Sequence, residues 1–94
     1  MAFADEQAYE EMISTLQTFI SQVDEQCGVM ESAGQDCVDN TDNDPAAEAS
    51  NSKLQGCVGN IRATFDTIQE IITALQEELE DIRAAAAKAQ AAGD

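Results

Sequence analysis

The sequence predicts an all-α fold, an antiparallel hairpin of two long helices. Three observations carry that expectation. Apolar residues recur at alternating intervals of four and three along both halves of the chain. The only proline, Pro45, sits in the polar break between the halves. Four aromatics, Phe3, Tyr9, Phe19 and Phe65, are too few for a thick globular core. With 94 residues the chain makes one small helical-hairpin domain, residues 1–94.

Helix one is expected from about residue 5 to 40. Asp5 reads as its N-cap, and Glu6, Glu10 and Glu11 suit the positive end of the helix dipole. Its seam runs Tyr9, Ile13, Leu16, Ile20, Val23, Cys27, Met30, Gly34, Cys37, and Met12, Phe19 and Ala33 widen the stripe. The break reads Asp39-Asn40-Thr41-Asp42-Asn43-Asp44-Pro45, with the loop at about 41–44. Asp44 is expected to cap a new helix whose first residue is Pro45. Running straight through that proline would cost about 3 kcal/mol.

Helix two is expected from about 45 to 88, with the seam Leu54, Val58, Ile61, Phe65, Ile68, Ile72, Leu75, Leu79, Ile82, Ala86, broadened by Cys57 and Ile71. The alanine-rich tail from Ala84 to Ala92 extends it and frays. Each arm is then roughly 50 to 65 Å long at ~1.5 Å per residue.

Stripes wider than about 100° leave apolar surface that one hairpin cannot cover. A four-helix bundle of two hairpins is the expected assembly, its core and interface drawn from Ile13, Leu16, Ile20, Val23, Met30, Leu54, Val58, Ile61, Phe65, Ile68, Ile72, Leu75, Leu79 and Ile82. Charge bears on the partner. Nineteen Asp and Glu stand against four Lys and Arg, with no His, for a net charge of −15. Such a surface opposes nucleic acid and anionic membranes. No run approaches the ~18 apolar residues of a membrane span, so no membrane insertion is expected. Two copies would repel across a screening length of ~8 Å, whereas a less acidic or basic partner would associate faster. Gly28, Ala33, Gly34, Gly56 and Gly59 mark either a close helix approach or weaker helix near the loop, since interior glycines cost roughly 1 kcal/mol each.

The residues offer little chemistry. With no histidine and no Cys-x-x-Cys spacing, a closed zinc site lacks its fourth strong ligand within the chain. A calcium frame starting at Asp39 needs glycine where Asp44 stands and glutamate where Ser50 stands; one starting at Asp42 puts Ala46 and Lys53 at key positions. Glu77, Glu78, Glu80 and Asp81 flank Leu79 and Ile82 instead of replacing them in the stripe. Lys53, Arg62, Arg83 and Lys88 are scattered singly. No catalytic residue, metal or cofactor is therefore expected.

The cysteines admit two readings. In a hairpin turning near residue 42 or 43, facing residues have numbers that sum to about 85, which sets Cys27 level with Cys57. A disulfide between them fits if their Cα atoms come within ~7 Å. In the other reading Cys27, Cys37 and Cys57 are reduced, small, buried hydrophobes, and the odd count suits a reducing compartment.

Two long amphipathic helices broken once near the middle, in a chain whose N-terminus MAFADEQAYE shows no secretory leader, resemble the WXG-type small proteins of type VII secretion, the early secreted antigenic target-like superfamily. The Trp-x-Gly turn of that family is absent, as is its C-terminal signal of an aromatic, three residues and an acid; Phe65 is followed at the fourth position by Gln69. These departures point toward the divergent partners of LXG-type toxins. The resemblance implies a four-helix assembly, either a homodimer or a complex with a helical LXG-type toxin domain. It further implies a role as partner, adaptor or chaperone, synthesis in the cytoplasm, and export by type VII secretion without a cleaved signal peptide. Two alternatives stay open. One is an acidic immunity protein or inhibitor that blocks a basic partner; the other is a structural coiled-coil module of a larger assembly.

Overall fold

The computed structural model describes residues 2–93, and side chains over 5–93. Two helices, α1 (Ala2–Asn40) and α2 (Pro45–Gly93), form the helical hairpin. Both run further than the seam arithmetic expects. Because α1 begins at Ala2, Asp5 lies within its first turn and is not the cap; its carboxylate instead faces the positive end of the helix dipole. The tail does not stop near 88. It continues as α2 to Gly93, as a run built mainly of alanine, the best helix former, can do.

The turn is built without glycine. Asp42 (φ 53°) and Asn43 (φ 60°) take the left-handed conformation that a glycine would adopt without strain. The Asn43 amide donates to the Val38 carbonyl at 3.1 Å, five residues back, as in a Schellman cap. Thr41 Oγ1 donates to the Cys37 carbonyl at 2.7 Å, so the last carbonyls of α1 find donors. The next helix starts as the sequence predicts. The Ala47 amide donates to Asp44 Oδ2 at 3.3 Å and the Glu48 amide to the Asp44 carbonyl at 2.9 Å, which makes Asp44 the N-cap and Pro45 the first helical residue.

The hairpin comprises two compact units, one of Met1–Phe19 with Ile68–Asp94 and one of Ile20–Thr67. Each pairs a stretch of α1 with a stretch of α2. In the terminal unit Ile13, Ile72 and Leu79 are buried. In the loop unit Cys27, Gly34, Val38, Ala47 and Val58 are buried. Val38 and Ala47 were not singled out in the seam pattern. They lie beside the turn, four residues after Gly34 and seven before Leu54, where the helices start and stop.

Candidate interaction surface

The two apolar positions of each heptad are not equivalent. One set closes the seam inside the chain: Cys27 and Val58 are each 1 % exposed and Ile72 is 2 % exposed. The other set is left half-covered in both units. Leu16, Ile68, Leu75 and Ile82 in the terminal unit, and Val23, Met30, Leu54 and Ile61 in the loop unit, are all half-buried. Ile20 and Phe65 are exceptions, half-buried although their heptad positions match those of Cys27, Val58 and Ile72. None of the apolar seam residues expected in the core is fully exposed, but only Ile13, Val58, Ile72 and Leu79 of that set are closed by the chain's own packing.

The residues that widen the stripe lie outside it. Met12 is 50 % exposed, Phe19 48 % and Ile71 43 %. Met12 and Phe19 are one heptad apart on α1 and so share a stripe. In the terminal unit a shallow groove lined by Ala8, Tyr9, Met12 and Leu75 runs along this side. In the loop unit the corresponding groove is lined by small residues, among them Ala33, Gly34, Cys37, Ala47 and Ser50. Hydrophobic side chains that stay half open in the isolated chain form a surface suited to a further helix.

The opposite flank of the seam is polar. In the loop unit Arg62 Nε donates to Asp24 Oδ1 at 2.9 Å while Nη1 lies 2.7 Å from Glu31 Oε1. Asp24 and Glu31 are one heptad apart, so one guanidinium straddles two turns of α1. The bond to Asp24, then that to Glu31, raises the Arg62 pKa above its usual value. In the terminal unit Arg83 pairs with Glu10, and its Nε lies 3.7 Å from Glu6 Oε2. Arg62 and Arg83 are separated by three heptads, a regularity already present in the sequence and masked there by their isolation among acidic residues. These pairs are largely exposed and salt-screened, so each adds little to stability.

All three cysteines are free thiols, Cys27 buried and Cys37 and Cys57 exposed. Of the three thiols that one reading places in the interior, only Cys27 is buried. Val58 occupies the seam, and its neighbour Cys57, about 100° round the helix, points out of it. The glycines separate likewise. A methyl group on Gly34 would run into Asn51 and Leu54, whereas at Gly28, Gly56 and Gly59 it would meet nothing within 4 Å. Of the two readings, close helix approach within this chain applies to Gly34 alone among these glycines.

Among the described residues no polar or charged side chain is buried and no group of three or more His, Cys, Asp and Glu is placed to hold a metal ion. None of the described helices is long and apolar enough to cross a membrane. Compared with protein families, curated proteins and solved structures, the chain matches none of them.

Proposed function

We propose that this chain is a non-enzymatic interaction protein whose open apolar flank is covered by helices of a partner hairpin, completing a four-helix bundle. The observation that carries the reading is the half-open stripe of Met12, Phe19 and Ile71 beside a closed seam. Covering each of these side chains contributes about 1 kcal/mol, roughly half the value for complete burial. The three together contribute about 3 kcal/mol, so stable association also requires covering the half-buried seam residues beside them.

Two long helices broken once resemble WXG-type proteins of type VII secretion. On that resemblance the chain is made in the cytoplasm and acts as partner, adaptor or chaperone of a helical LXG-type toxin domain, or leaves the cell as a homodimer without a cleaved signal peptide. The exposed placement of most of its carboxylates supports a binding role over a catalytic one.

Co-expression with the neighbouring genes, followed by purification through this chain, tests the reading. A helical partner retained at about 1 M salt, where surface charge is screened within ~3 Å, is the expected result. A chain that stays monomeric at high concentration and captures no helical protein sinks it. Capture of a basic enzyme that is lost at that salt points instead to an acidic inhibitor.

A further inference from the structure

The open stripe of the terminal unit has charge at one end only. On α1, Asp5 stands one heptad before Met12 and four residues before the groove residue Tyr9. On α2, Glu78 stands one heptad after Ile71 and three residues after the groove residue Leu75. Since α1 and α2 pair in opposite directions, these positions bring both carboxylates to the same end of the apolar stripe. Both are exposed, and neither is in an ion pair among the described residues. The nearest arginine, Arg83, is held on the polar flank by Glu6 and Glu10. Lys88 lies ten residues beyond Glu78, about 15 Å along the helix.

We infer that the occupant of this stripe is an amphipathic helix from a different protein, with Lys or Arg at one end of its apolar face to meet Asp5 and Glu78. This rests on the interaction reading above and adds the partner's chemistry and direction. Apolar side chains at i, i+3 or i+4 and i+7 cover Met12, Phe19 and Ile71, as in helix-in-groove recognition. The carboxylate pair accepts the basic end and disfavours the reversed helix, which sets orientation through charge complementarity. A second copy of the chain matches poorly. It brings the same acidic ends and a further −15, and of its four cations Arg62 and Arg83 are already engaged, leaving Lys53 and Lys88.

Three designed peptides of about four heptads test this. They share one leucine stripe and differ at one end of it, carrying lysines, glutamates or neutral glutamines. Fluorescence anisotropy reads their binding to the full chain, to Asp5→Asn/Glu78→Gln and to Met12→Ser/Phe19→Ser, with circular dichroism checking that each variant is folded. The expected result is that the lysine peptide binds the wild type at least about tenfold tighter than the glutamate peptide, a difference of about 1.4 kcal/mol. Its advantage over the glutamine peptide is expected to vanish in Asp5→Asn/Glu78→Gln, and all binding to weaken in Met12→Ser/Phe19→Ser. Equal binding of the lysine and glutamate peptides, or an advantage that survives loss of both carboxylates, overturns the inference while leaving the interaction reading in place. Failure of all three peptides to bind a monomeric chain overturns both. A stable homodimer in sedimentation that buries Met12 and Phe19 overturns the inference in favour of a second copy.

Discussion

Gly34 and Asn51 meet across the hairpin with no room for a methyl group between them. A Cβ at Gly34 would collide with Asn51 Oδ1 and lie 2.9 Å from Leu54 Cδ2. Asn51 is itself tethered, since Gln55 Nε2 donates to its Oδ1 at 3.0 Å and reaches the Glu31 carbonyl at 3.5 Å. The side chain that would have to yield is thus tied to both helices.

Opposite signs are therefore expected across the glycines. Gly34→Ala overpacks the seam and destabilises the chain by about 1 to 2 kcal/mol, even after the gain in helix propensity. Gly28→Ala, Gly56→Ala and Gly59→Ala project into open space and each stabilise it by roughly 0.5 to 1 kcal/mol. Urea melts of the four variants check this. A stabilising Gly34→Ala would contradict the close approach.

Adjacent isoleucines on α2 are predicted to behave differently. Ile72→Ala removes a side chain that is 2 % exposed and costs about 2 to 5 kcal/mol. Ile71→Ala leaves the isolated chain within about 0.5 kcal/mol of wild type and weakens partner binding instead. Paired melting and binding measurements separate the closed seam from the open stripe, and equal losses of stability would erase that distinction.

Thiol reactivity reports the rotation of α2. Brief alkylation without denaturant is expected to modify Cys37 and Cys57 and to spare Cys27 until the chain unfolds, giving two fast additions and one slow one by mass. Only one reactive thiol in unreduced protein would restore the Cys27 to Cys57 bridge.

The turn should respond to residue type at one position. Asp42→Gly relieves the left-handed backbone and stabilises the hairpin by about 0.5 to 1 kcal/mol, while a β-branched Asp42→Val costs about 1 to 2 kcal/mol. Thermal melts that rank the valine variant above the glycine variant would rule out the observed turn.

Arg62→Ala is predicted to lower the urea midpoint at low salt, with the deficit shrinking as salt rises, because its bonds to Asp24 and Glu31 are solvent-exposed. A salt-independent deficit would assign Arg62 a packing role instead.

Much of this architecture was legible in the residues. The alternation of four and three places Ile13, Val58, Ile72 and Leu79 on inward stripes because apolar burial with a period near 3.5 residues leaves few other solutions. Asp44 and Pro45 announce the second helix because capping and a fixed φ act locally. Asp42 and Asn43 were recognisable as helix stops, but their left-handed conformation depends on the Asn43 to Val38 bond that closes the turn.

The sequence by itself determined two helices, one break and an apolar stripe on each helix, because helix periodicity and capping are local properties of the chain. Only the tertiary structure decided which part of each stripe is closed. The register sum sets Cys27 level with Cys57, yet a level says nothing of rotation, and one residue step turns the helix by about 100°. In the loop unit Val58 is buried in the seam and Cys57 is turned outward, and in the terminal unit Met12, Phe19 and Ile71 are left open. Arg62 in the loop unit and Arg83 in the terminal unit each pair with acidic residues of α1, a choice of partner that the helix pairing made.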